Sequence, residues 1–135
     1  MMILKPSKKI NWKKRLDVVF SQFIRMSSAD STGYATCVTC GKREPWKELD
    51  CGHYISRQNL STRYEEKNCG PQCKHDNRFL EGKKDEFALF LIRKYGPKIL
   101  EELNQQKRRV VKWNDWTYQE YIKIYKAKIE ALEGK

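Results

Sequence analysis

All five cysteines and both histidines of this chain fall between residues 37 and 75, at spacings that suit metal ligands. Cys37-Val38-Thr39-Cys40, followed by Gly41 and Lys42, is one half of a zinc knuckle. Two thiolates three positions apart reach one tetrahedral ion, and glycine relieves the tight turn behind them. A redox reading of the same pair is disfavoured, because redox dithiols usually open a helix in a βαβ setting, which is absent here. The second half-site lies near residues 69–76, where two ligand sets compete. Cys69 with Cys73 completes a four-cysteine site. Cys73 with Asp76 instead repeats the spacing of the first half and brings an oxygen ligand. Repeated spacing favours Asp76; zinc's preference for sulfur favours Cys69. His75 suits either set less well and reads as a contact to solvent or to a nucleic-acid backbone. Cys51 reads as a small buried residue.

These residues need short, turn-rich elements to bring them together, and the surrounding pattern predicts them. Asn11 caps a helix whose apolar positions Trp12, Leu16, Val19, Phe20 and Phe23 recur at helical spacing, with Lys13, Lys14, Arg15 and Arg25 on the other face. The loop "SSADSTG" ends it. From Tyr34 to about Ile55 the chain is β-tending and broken by turns. "SRQNLSTRYEEKN" reads as an extended surface loop. A helix starts near Lys74, weakens at Gly82 and resumes at Asp85 with Phe87, Phe90 and Leu91 inward. Gly96-Pro97 ends it and starts another. "KRRVVKW" is a basic connector. The last helix, from about Asn114, places Tyr118, Ile122, Tyr125, Ile129 and Leu132 at alternating spacings of four and three. That is a coiled-coil-like seam between two copies, or equally the face that packs on its own domain. The expected architecture is one α+β domain: a basic helix over 1–30, a zinc-stapled core over 31–95 and helices over 96–135.

Composition narrows the partner. Lys and Arg number 28 against 17 Asp and Glu, and the resulting +11 points to a polyanion, with nucleic acid first. A membrane is disfavoured, because the longest apolar run, "FALFLI", falls far short of the ~20 residues that span a bilayer. "MMILKPSKK" lacks the pattern of a signal peptide, so a cytoplasmic protein is expected (host-cell cytoplasm if phage-encoded). There its cysteines serve metal rather than disulfides.

A cysteine pair, a "GH" on a strand, an Asn, then a second knuckle with a polar residue directly behind it resembles the order of HNH (His-Me finger) nucleases. "LDCGHYISR", "RYEEKNCGPQC" and "NRFLEGKKDEF" with "LIRKYG" are similar to the phage NinG/Rap recombination nucleases. The likeness covers about residues 12–130 and is most specific over 37–95. Asn77 directly after the knuckle is also similar to endonuclease VII, a junction-resolving member of that superfamily. The resemblance implies a ββα-metal core stapled by structural zinc. It makes His53 the general base, Asn68 the brace of the loop bearing it, and Asn77 a ligand of a catalytic Mg²⁺ or Mn²⁺. Taken singly, the same residues also read as a zinc ligand beside two cysteines (His53), a loop-capping amide (Asn68) and a helix N-cap (Asn77). Two positions depart from the family pattern: Asp76 stands where a cysteine is usual, and Gly70 where a histidine is expected.

The chemistry of phosphodiester hydrolysis agrees with those roles. A neutral imidazole deprotonates water at physiological pH. One oxygen-ligated ion, held by Asn77 and by Asp50 as the carboxylate nearest His53, stabilises the developing charge and the leaving 3′ oxygen. Arg57, four residues after His53, shares its strand face if the strand continues, and is placed to hold a phosphate oxygen. Lys13, Lys14, Arg15, Arg63, Arg78, Lys107, Arg108 and Arg109 are the candidate DNA-backbone contacts. The leading expectation is an endonuclease leaving 5′-phosphate and 3′-hydroxyl ends. By resemblance its substrate is branched DNA, such as Holliday junctions or D-loops. Two symmetric nicks across a junction need two chains, so a homodimer is expected, at least on DNA. The alternative is a zinc-stapled DNA-binding protein whose nuclease core has decayed, with RNA as a weaker third substrate.

Overall fold

Asn11 starts the first helix by accepting a hydrogen bond from the Lys14 backbone N–H at 3.0 Å, which satisfies a donor that the first turn leaves free. This computed structural model describes residues 9–134. The opening "MMILKPSK", which bears on targeting and on the first basic segment, lies outside the described residues. Helix α1 spans Trp12–Ser27 and buries Leu16, Phe20 and Ile24. Two short strands follow, β1 (Tyr34–Thr36) and β2 (Arg43–Pro45), paired antiparallel around the first cysteine pair.

Strand β3 (Asp50–His53) pairs antiparallel with β4 (Cys69–Gln72), in a register that sets His53 opposite Cys69 and Gly52 opposite Gly70. Between them the chain does not run as an extended surface loop. Residues Leu60–Arg63 form helix α2, Glu66–Asn68 form a 3₁₀ turn, and Thr62, Tyr64 and Asn68 are buried. The pattern misled because polar residues dominate the segment, and two of those that go inside are polar.

Asn68 is the clasp of that segment. Its side-chain amide accepts from Ile55 N–H at 2.8 Å and donates to the carbonyls of Ile55 at 3.1 Å and Thr62 at 3.2 Å. Asn68→Ala leaves those buried groups unpaired, and such a loss costs roughly 1–3 kcal/mol per group. A fall in the urea midpoint equivalent to about 3 kcal/mol, at unchanged m-value, is expected.

Helix α3 (Lys74–Phe79) leaves β4 directly, capped by Cys73, so Asn77 is not the helix cap. The helical pattern then breaks over residues 80–83, where Glu81, Gly82 and Lys83 all have positive φ. It resumes as α4 (Lys84–Tyr95), α5 (Ile99–Lys107) and α6 (Asp115–Glu133). Phe87, Leu91, Ile99 and Leu103 form one buried cluster with Ile55. The larger cluster joins the two ends of the chain: Leu16, Phe20 and Ile24 of α1 meet Tyr118, Ile122 and Tyr125 of α6.

Of the two readings of the α6 seam, that packing favours the intramolecular one over the dimer contact. The α6 face carrying Tyr118, Ile122, Tyr125 and Ile129 is buried within its own chain, so it cannot also serve a second copy. "KRRVVKW" is only partly a basic connector, because Trp113 stacks between Tyr64 and Tyr121 at 5.1 and 4.6 Å. Among the described residues no helix is long and apolar enough to cross a membrane.

Candidate metal centre and cleft

The β1–β2 turn and the β4–α3 junction bring Cys37, Cys40, Cys73 and Asp76 together, with one ligand atom from each lying within 4.8 Å of the others. Cys40 Sγ and Cys73 Sγ are 3.8 Å apart. A tetrahedral zinc with bonds of about 2.3 Å to sulfur sets its sulfurs about 3.8 Å apart, so the donor set fits such an ion. Backbone N–H groups already point at the sulfurs: Cys73 N–H donates to Cys37 Sγ at 3.2 Å and Asp76 N–H to Cys73 Sγ at 3.4 Å. The Thr39 hydroxyl donates to Asp76 Oδ2 at 2.7 Å and fixes the carboxylate. Burial pushes the Cys73 thiol up to about 12, with the neighbouring Cys37 and Cys40 sulfurs adding to the rise. A dication reverses that penalty by binding the thiolates, so these crowded groups favour metal.

Cys69 is not in this cluster. The register turns it towards Cys51 and His53, with which it forms a second group of ligand atoms within 4.8 Å of one another. Of the two ligand sets the sequence left open, the structure assembles the one with Asp76.

Beside the metal centre, α1, β3 and α3 enclose a cleft of about 570 Å³ lined by Asp50, His53, Arg57, Asn77 and Arg78, among others. Asp50 accepts from Asn77 Nδ2 at 3.0 Å and from Arg78 through two bonds at 2.9 and 3.0 Å. Its carboxyl titrates below the ordinary range, because the Arg78 and Asn77 hydrogen bonds outweigh the opposing effect of burial.

His53 Nε2–H donates to the Arg63 carbonyl at 2.8 Å, one of the acceptors that the end of α2 leaves free. That bond fixes the neutral tautomer and leaves the lone pair on Nδ1, which is buried and has no protein partner. Burial, reinforced by the Arg57 and Arg63 cations, holds the imidazole's pKa down to about 4, against the opposing pull of the Arg63 carbonyl.

A depressed histidine pKa has a defined effect on stability. Between pH 6.5 and 4 the unfolded chain takes a proton at His53 that the folded chain refuses. The stabilisation is therefore complete above about pH 6.5 and lost as pH falls towards 4, by about 3 kcal/mol in all. Urea unfolding of wild type and His53→Gln across this window is expected to show a steeper acid loss for the wild type.

Several expected site residues sit elsewhere than their spacing implied. The β3 strand ends at His53, so Arg57 does not share its face; it reaches the cleft from the following loop and pairs with Asp17 at 3.1 Å. Arg63 is not a free backbone contact. Its guanidinium grips Asp17 at 3.0 and 2.6 Å and donates to the Arg57 carbonyl at 2.8 Å, with only 12% of the side chain exposed. Arg78 remains 56% exposed while it holds Asp50. Lys107, Arg108 and Arg109 are exposed at the end of α5 and do not line the cleft. Lys13, Lys14 and Arg15 are exposed on α1, where Lys14 and Arg15 border a separate apolar groove with Trp12.

The cleft is also lined by Asp17, Arg25, Lys47 and Lys74, none of which the sequence marked as a site residue. Asp17 was visible only as the one acid on an otherwise basic helix, and it orders Arg57, Arg63 and Tyr64. Gly70 is explained by packing. A Cβ there would meet Val38 at 2.8 Å, so a larger residue does not fit, and Gly70 does not line the cleft.

A family profile described as Bacteriophage Lambda NinG protein matches residues 2–135. The chain belongs to the NinG family. No curated protein and no solved structure matches it. For this NinG-family chain the knuckle cysteines are thus part of a cluster that can hold a metal ion such as zinc.

Proposed function

We propose that this chain is a metal-dependent DNA endonuclease of the HNH type, in which β3, β4 and α3 form the ββα-metal core. The observation that carries the reading is the cleft itself. His53, with its Nδ1 unpaired, lines the same cleft as Asp50 and Asn77, which are hydrogen-bonded to each other, and Arg25, Lys47, Arg57, Lys74 and Arg78 line it too.

His53 takes the proton from the attacking water, and the Arg63 carbonyl holds its ring in the required tautomer. Asn77, with its amide turned over, and Asp50 offer hard oxygens that suit Mg²⁺ or Mn²⁺. Bound there, the ion supplies charge neutralisation for the phosphate and leaving oxygen. Arg57 and Arg78 orient the phosphate, and Asn68 braces the segment that follows His53. Structural zinc at Cys37, Cys40, Cys73 and Asp76 fixes α3 against the strands.

Branched recombination intermediates are the proposed substrates. Two symmetric nicks across a four-way junction need two such clefts, hence two chains on the DNA, meeting through a surface other than the apolar face of α6. The test is cleavage of labelled Holliday junction and linear duplex with Mg²⁺, Mn²⁺ or chelator. Metal-dependent incision, faster on the junction, is expected. Tight binding with no incision in any metal would leave a zinc-stapled DNA-binding protein.

A further inference from the structure

In the second cluster of ligand atoms, the chemistry above uses His53 but neither of its two cysteines. Cys51 and Cys69 flank His53, and one donor from each of the three residues lies within 4.8 Å of the others. Cys69 is buried in the core formed by α1 and α6, and Cys51 is half-buried against it. Neither cysteine is in a disulfide. The imidazole is already set as a ligand's ring is set: its Nε2–H donates to a backbone carbonyl, and its Nδ1 is buried without a partner. Metal-bound histidines commonly anchor their second nitrogen in this way.

Softness separates this group from the oxygen pair at Asp50 and Asn77. Two thiolates and an imidazole select Zn²⁺ and other thiophilic ions, whereas carboxylate and amide oxygens suit Mg²⁺. Three protein donors leave one tetrahedral position open, so the site is a weaker holder of zinc than the four-donor knuckle.

We infer that Cys51, His53 and Cys69 form a second, inhibitory site for a thiophilic divalent cation, which removes the His53 lone pair from use as a base. The inhibitory part rests on the nuclease reading; the binding part does not. Binding displaces the two thiol protons to solvent and forms two metal–sulfur bonds and one metal–nitrogen bond, with no change of oxidation state. Excess zinc and hydrolysis by His53 are therefore mutually exclusive.

The experiment titrates the full-length, metal-free chain with Co²⁺ under a phosphine reductant and follows the thiolate-to-cobalt charge-transfer absorption. Two equivalents are expected, and Cys51→Ala should lose one of them. Cys69→Ser should lose the same equivalent, but its buried position makes Cys51→Ala the primary variant. Saturation at one equivalent, or a second equivalent that survives Cys51→Ala, overturns the site. In a parallel arm, Zn²⁺ beyond the first equivalent should slow Mg²⁺-supported junction cleavage on the order of 100-fold, the worth of a general base. Cys51→Ala should resist that slowing, and equal inhibition of wild type and variant overturns the competition. A protein that cuts no DNA in any metal sinks the nuclease reading alone, because the cobalt stoichiometry still decides the site.

Discussion

His53→Ala is expected to lose at least ~100-fold in the rate of Mg²⁺-dependent cleavage while keeping its first equivalent of zinc and its affinity for DNA. The structure separates these properties by residue. The ligand atoms grouped at the knuckle, which could hold a metal ion, belong to Cys37, Cys40, Cys73 and Asp76, and His53 is not among them. The exposed cations that would meet DNA, such as Arg78 and Lys74, lie on α3 and do not depend on the imidazole. Removing the ring breaks the bond to the Arg63 carbonyl, which loosens the end of α2, so the folded variant should also be modestly less stable. Single-turnover cleavage of a labelled junction, with zinc content and a binding isotherm on the same preparation, reads all three. A variant that sheds its first zinc or fails to fold would make His53 a structural residue and remove the centre of the proposed mechanism. Asn77→Ala should show a comparable loss that is partly restored by more divalent metal, because one weakened ligand is offset by mass action.

Much of this site was readable before any fold, because its chemistry is local. The paired cysteines of the ligand cluster and Asn11 at a helix start each carry their meaning within a few residues. What spacing could not carry was the segment between β3 and β4. A polar run reads as solvent-exposed by default, yet Thr62 and Asn68 go inside because Asn68 pairs with three backbone groups there. Arg63 was unreadable for a related reason: its partner Asp17 lies 46 residues away, and one acid turned a candidate phosphate contact into a half-buried brace. The α6 seam shows a different limit. Its periodicity correctly located an apolar face, but periodicity is the same whether the face meets a second copy or α1. Only the complementary face at Leu16, Phe20 and Ile24 decides between them.

Loss of zinc from the four-donor cluster, which can hold such an ion, should have the largest effect of any single change. Zinc bound by a structural four-donor set contributes apparent free energies of about 10–16 kcal/mol in small domains, and a domain of this kind has roughly 5–15 kcal/mol of net stability. The binding energy is thus comparable to everything else that holds the fold. It matters most between β1–β2 and α3, where the buried cluster is Ala35, Cys37, Leu49 and Cys73, with the partly buried Ala29 and Trp46 packed against it. Two of the four buried members, Cys37 and Cys73, belong to the candidate ligand set, so without an ion the small sheet keeps little core of its own. Cys37→Ser, or strong chelation of the wild type, is therefore expected to unfold this region, seen as lost amide-exchange protection over residues 34–45 and 72–79. The α1–α6 cluster contains no knuckle ligand and should keep more of its protection. Asp76 sets the sharper test. Asp76→Ala removes a donor that is 2% exposed and held by Thr39, and should weaken zinc and the fold together. Asp76→Cys restores a fourth donor of softer type at the same spacing and should retain zinc. If Asp76→Ala instead keeps full zinc affinity and Cys69→Ser loses the first equivalent, the fourth ligand is Cys69, and β4 must turn that side chain away from His53.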